Sequence, residues 1–96
     1  MLNSEIGTAA PVFAALGDET RLRLLMRLRE GGALSIAELS EKQPMTRQAV
    51  TKHLHVLLEA GLVSASKQGR QQVWEISPEK MKQARRWLKA FVPKPE

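Results

Sequence analysis

Thr46-Arg47-Gln48-Ala49-Val50-Thr51-Lys52-His53-Leu54-His55-Val56-Leu57-Leu58-Glu59-Ala60-Gly61-Leu62-Val63 is the stretch that decides the fold. Wound as a helix with Val50 at the centre of one face, it places Leu54 and Leu57 beside Val50. Gln48, Lys52, His55 and Glu59 then fall on the opposite side, with Thr51 at the edge. The apolar side is narrow. The polar side carries hydrogen-bonding and cationic groups and no acid before Glu59. Such a face suits the donor and acceptor pattern of a DNA major groove, and the stretch reads as a recognition helix.

Working outward, Thr46 is positioned to cap this helix, and Gln43-Pro44-Met45 before it reads as a turn. Ser35-Ile36-Ala37-Glu38 is a capping-box pattern, and it predicts a short helix running to about Lys42. A short helix, a turn and a polar-faced helix make a helix-turn-helix over about residues 35–60. Gly61 ends the recognition helix. Leu62 to Ser66 and Gln71 to Ile76 then read as two strands of a hairpin, turning at Gln68-Gly69, so that residues 62–76 form a wing.

Toward the N-terminus, Asp18 caps a helix ended by Gly31-Gly32, with Leu22, Leu25, Met26 and Leu28 as its buried stripe. Arg21, Arg23, Arg27 and Arg29 are expected on its wet side. Before it, Thr8 reads as the cap of a short apolar helix over Ala9 to Leu16 with Pro11 in the first turn, and residues 1–7 read as frayed. At the other end Ser77-Pro78 opens a helix over about 78–91, which carries Met81, Ala84, Trp87, Leu88 and Phe91 and is closed by Pro93 and Pro95. The expectation is one domain over residues 1–96, mainly α with a small β-hairpin wing.

Composition agrees with that size. The 96 residues are 43% hydrophobic, enough for a core, and the net charge of +5 favours a polyanionic partner. The charge falls in two blocks. Arg47, Lys52, Lys67 and Arg70 oppose only Glu59 between Thr46 and Trp74, while Lys80, Lys82, Arg85, Arg86, Lys89 and Lys94 oppose Glu79 and Glu96 after Ser77. Cysteine is absent, which excludes disulfides, thiolate metal sites and thiol redox switching. With no basic segment leading into an apolar run at the N-terminus and no long apolar stretch, a soluble, cytoplasmic protein is expected. No Ser or Cys stands with a His base and no carboxylates pair, so no enzyme is expected.

Three segments resemble the ArsR-type winged-helix regulators of prokaryotes. They are Ala15-Leu16-Gly17-Asp18-Glu19-Thr20-Arg21-Leu22-Arg23-Leu24-Leu25, the run Gln48 to Val63, and the wing tip Lys67-Gln68-Gly69-Arg70. The resemblance covers roughly residues 13–87. It implies a homodimer that binds an inverted-repeat operator and represses transcription, with the first and last helices forming the subunit seam. The apolarity of those two helices points the same way, since a monomer this small leaves such a stripe uncovered. Two-fold symmetry then offers two recognition helices to half-sites ~34 Å apart.

The candidate DNA contacts are Thr46, Arg47, Gln48, Thr51, Lys52 and His55 on the helix and Lys67 and Arg70 on the wing. Val12, Phe13, Leu16, Met81, Ala84, Trp87, Leu88 and Phe91 are the candidate dimer interface. His53 falls on the flank of the helix and reads as a partly buried structural residue. Trp74 is expected under the wing and Trp87 at the seam. Many relatives in this family release DNA when metal binds cysteines or a His/carboxylate set on the last helix. This chain has neither, and its Ser77-Pro78-Glu79 start resembles metal-free members, so no cofactor or metal is expected. The competing reading is a winged-helix module that docks proteins and does not bind specific DNA; a recognition helix with acids or apolar residues outward would favour it.

Overall fold

The computed structural model describes residues 2–94; Met1, Pro95 and Glu96, which enter the reading of the chain ends and their charge, lie outside the described residues. A 3₁₀ turn, Leu2–Glu5, leads into helix α1, Ile6–Leu16. The start at Ile6 corrects the expected fraying and the expected cap, because long-range contacts organise this end. Thr8 Oγ1 donates to the Glu5 carbonyl at 3.0 Å, Gln83 Nε2 donates to Thr8 Oγ1 at 3.1 Å, and Arg86 pairs with the Glu5 carboxylate at 2.6 Å. Pro11 therefore lies inside the helix and not in its first turn. Its missing N–H frees the carbonyl of Gly7, an exposed residue with water at hand.

Helix α2, Glu19–Gly31, begins as its sequence dictates, with the Asp18 carboxylate accepting from the Arg21 N–H at 3.0 Å. Its buried stripe differs from the expected one. Leu24, Leu25 and Leu28 face the core, whereas Leu22 and Met26 are 47% and 51% exposed. With 24, 25 and 28 inward, both lie roughly 100° or more round the wheel. Arg21 is also not on the wet side: it is half-buried, its Nε donating to the Ala15 carbonyl at 2.7 Å.

Strand β1, Leu34–Ser35, was not apparent in the sequence. Two residues carry too little pattern, and β1 exists because Leu34 and Ser35 pair with Trp74 and Val73. Ser35 also caps α3, Ile36–Ser40, through a complete capping box: Glu38 N to Ser35 Oγ at 3.2 Å and Ser35 N to Glu38 Oε1 at 3.0 Å. Helix α4, Arg47–Glu59, is capped by Thr46, whose Oγ1 accepts from Ala49 N at 3.1 Å. Val50, Leu54 and Leu57 are completely buried. Gly61, at φ 77°, lets the Leu62 N–H return to the Leu57 carbonyl at 2.9 Å and closes the helix.

The wing strands are β2, Val63–Gln68, and β3, Gln71–Ile76. The turn falls on Gly69-Arg70, one residue later than expected, because Gln68 pairs with Gln71 and Gly69 takes φ 64°. The sheet is antiparallel in the order β1-β3-β2. Helix α5, Pro78–Lys89, stops two residues short of the expected end and packs along α1. The core gathers where α2, α3 and α4 meet the sheet, around Leu24, Leu28, Leu39, Leu54, Leu57 and Trp74.

Two capping carboxylates make this fold sensitive to acid. The Arg21 backbone N–H beside Asp18 holds its carboxyl below the usual range, aided by the Arg21 guanidinium against some desolvation. The Ser35 backbone N–H and then its hydroxyl do the same for Glu38. Groups depressed on folding stabilise the fold above their ordinary pKa near about 4, and that contribution is lost as pH falls through the lowered values. Thermal melts from about pH 6 to about pH 3 should fall more steeply for the wild type than for Asp18→Asn. Parallel curves would remove Asp18 from the acid response.

Candidate nucleic-acid interface

Helix α4 exposes Arg47, Gln48, Lys52 and His55, with Thr46 exposed at its cap. Thr51 is half-buried, and its hydroxyl donates to the Arg47 carbonyl at 2.8 Å, which leaves its oxygen free to accept. No acid stands in the first turn, so the positive end of the helix dipole is not neutralised. Lys67 and Arg70 are exposed on the wing, Lys67 opposite Gln72 and Arg70 within the loop. The structure thus places all eight candidate contacts on α4 with its cap, and on the wing.

His55 is more constrained than its place on the wheel suggests. Its ring meets Trp74 edge-on, with centroids 5.6 Å apart and planes at 87°. Trp74 is buried in the central strand, as expected, so His55 braces the outward face of α4 against the sheet that carries the wing. His53 is half-buried, with Nδ1 3.2 Å from Arg21 Nη1 and 3.7 Å from Asp18 Oδ2.

On the far side, α1 and α5 form an apolar surface. Phe13, Trp87 and Phe91 stack in a chain, with centroids 6.1 Å and 4.9 Å apart. Leu16, Met81, Leu88 and Val92 line a hollow beside it. Phe91 and Leu88 are 68% and 52% exposed, whereas Val12 and Ala84, expected at the seam, are 2% and 6% exposed. Val12 faces inward because α1 packs on α5 within the subunit, whereas Ala84, though largely buried, still lines that hollow. Ile6 and Val92 are exposed apolar residues that the sequence reading missed. Ile6 needed the longer first helix, whereas Val92 follows Leu88 by four residues and was open to view. The basic residues Lys82, Arg85 and Lys89 are solvated, and Arg86 is engaged by Glu5.

A family model described as a helix-turn-helix domain matches residues 16–64. The HTH-type transcriptional regulator YuzN of Bacillus subtilis is 38% identical over 82 residues, covering 79% of this chain and 89% of that protein. An ArsR-like transcriptional regulator from Rhodococcus sp. RHA1 is 35% identical, with a TM-score of 0.80 over 92% of this chain and 82% of that one. The chain belongs to the ArsR-type family of helix-turn-helix transcriptional regulators.

A further ArsR-type likeness is to a homodimeric winged helix-turn-helix DNA-binding domain from Mycobacterium bovis, at 26% identity and a TM-score of 0.75, covering 94% of this chain and 81% of that one. The chain has no cysteine, and among the described residues no three His, Asp or Glu side chains gather where they could hold an ion. Nor, among the described residues, is any helix long and apolar enough to cross a membrane.

Proposed function

We propose that this ArsR-type chain is a homodimeric repressor of the cytoplasm, binding an inverted-repeat operator in double-stranded DNA without metal control. Helix α4 enters the major groove. Gln48 suits the N6 and N7 edge of adenine, and Arg47 suits guanine or a phosphate. Thr46, Thr51, Lys52 and His55 border the groove, and Lys67 and Arg70 reach phosphate or a narrow minor groove from the wing. Phe13, Leu16, Met81, Trp87, Leu88 and Phe91 make the two-fold seam that spaces the two helices, and occupation of a promoter by the dimer blocks transcription.

The observation that carries this reading is the outward face of α4. It exposes Arg47, Gln48 and Lys52 with no acid before Glu59, the composition of a groove reader and not of a protein-docking face. The test is fluorescence anisotropy with the DNA upstream of the chain's own gene beside a shuffled duplex, over a salt series. Tight, salt-dependent binding to the upstream duplex alone is expected, because phosphate contacts release counterions. Gln48→Ala should cost about 1–3 kcal/mol at the operator and relax one base preference, while Lys67→Ala should weaken all duplexes alike and lower the salt slope by about 1. A salt-independent interaction, or both variants binding as wild type, would transfer the proposal to protein docking.

A further inference from the structure

Arg21 connects three elements at once. Its backbone N–H is held by the Asp18 carboxylate at the start of α2. Its side chain turns back to the end of α1, where Nε donates to the Ala15 carbonyl at 2.7 Å and Nη2 to the Ala14 carbonyl at 3.4 Å. The remaining arm, Nη1, lies 3.2 Å from His53 Nδ1 on α4. Carbonyls in the last turn of an α-helix lack intrahelical partners; Ala14 already accepts from the Gly17 N–H at 3.2 Å, so it is at Ala15 that the guanidinium supplies what the end of α1 is missing. It does so as a rigid, planar, permanently charged fork, which fixes direction as well as distance.

What lies around this fork gives it significance. Pro11, Ala14 and Ala15 of α1 and Val56 and Glu59 of α4 line a surface hollow that has Arg21 in its wall. Beside that hollow, α1 and α4 are bridged by a polar clasp. Apolar packing alone tolerates small slides and rotations, whereas two carbonyl bonds and a ring-nitrogen bond from one fork do not. Helix α1 contributes to the seam that sets the distance between subunits, and α4 is the helix that must fit the groove.

We propose that Arg21 is a positioning residue for DNA recognition, with His53 as its acceptor: it ties the orientation of the recognition helix to the end of the dimerising helix. The inference rests on the reading of α4 as the groove-binding helix. It predicts that breaking the α4 end of the clasp harms the fit of two helices to two half-sites, while the attraction of a basic surface for any duplex remains.

The test uses the full chain and an operator selected by the wild-type protein from a random duplex pool. His53→Leu removes the acceptor while leaving the bonds to α1, Arg21→Lys keeps the charge but loses the fork, and His53→Asn returns an oxygen close to the position of Nδ1. His53→Leu and Arg21→Lys should each weaken operator binding about tenfold, the scale of one hydrogen bond to a charged group. Shuffled-duplex affinity and dimer mass should be unchanged, His53→Asn should restore most of the loss, and the double variant should lose no more than either single one.

Operator affinity within about twofold of wild type in His53→Leu would overturn the proposal. So would equal losses on operator and shuffled duplex, or an Asn variant no better than Leu. If Arg21→Lys fails to fold, the two His53 variants decide alone. Gln48→Ala separates the layers: loss of operator binding there with none in His53→Leu leaves the DNA reading standing and removes the clasp. Selection of no duplex by the wild type removes both.

Discussion

Trp74→Ala should lower stability by about 3–5 kcal/mol, the range for deleting a large aromatic from a packed interior. Trp74 is 2% exposed and lies in the central strand, opposite Leu34 on one side and Ala65 on the other. Its loss opens a cavity between the sheet and the helices that no neighbouring side chain can fill without moving a strand. A domain of this size commonly has only about 5–15 kcal/mol in total, so the deficit is a large fraction of the whole. In urea, at a slope of about 1.5 kcal/mol per M, the midpoint should fall by about 2–3 M at constant protein concentration. His55 loses its brace in the same variant, so operator binding should weaken even where the chain remains folded. A midpoint shift below about 0.5 M would show that Trp74 does not hold the sheet to the helices.

Leu88→Asp should have its effect elsewhere. Leu88 is 52% exposed in the subunit, so an aspartate there is solvated in the monomer and should change its stability by about 0.5 kcal/mol or less. In the proposed seam the same carboxylate would be pressed against Leu16, Met81 and Val92, with Arg85 and Lys89 beside the hollow to offset part of its charge. Desolvating a charge that is only partly compensated costs on the order of 3 kcal/mol, which is about two orders of magnitude in the dimer dissociation constant. Sedimentation should show a folded monomer at concentrations where the wild type is a dimer, with operator affinity falling in parallel because each half-site is then bound singly. An unchanged dimer would move the seam away from α1 and α5.

Both predictions combine what the sequence makes plain with what it does not. The three helix caps at Asp18, Ser35 and Thr46 were legible because each bonds the backbone three residues on, a relation contained within one turn. The stripe of α4 was legible because Val50, Leu54 and Leu57 can be turned inward together without burying Gln48 or Lys52. Its outward face, the candidate site, followed from the same arithmetic. In α2 that arithmetic is ambiguous: Leu22, Leu24, Leu25 and Met26 put apolar side chains on more than one side, and the wheel alone cannot choose.

The chain by itself therefore determined the helix-turn-helix, the wing and the polar face of α4, since these rest on caps, turns and periodicity that act over a few residues. Tertiary structure decided the rest. It selected Leu24 over Leu22 and Met26, and paired Leu34 with Trp74 to make a third strand. It also turned Val12 and Ala84 inward, set His55 against Trp74, extended α1 through the Glu5–Arg86 pair and drew Arg21 to His53. These contacts join residues far apart in the chain, and their formation depends on which surfaces remain free once the helices have packed. Local sequence has no term for that.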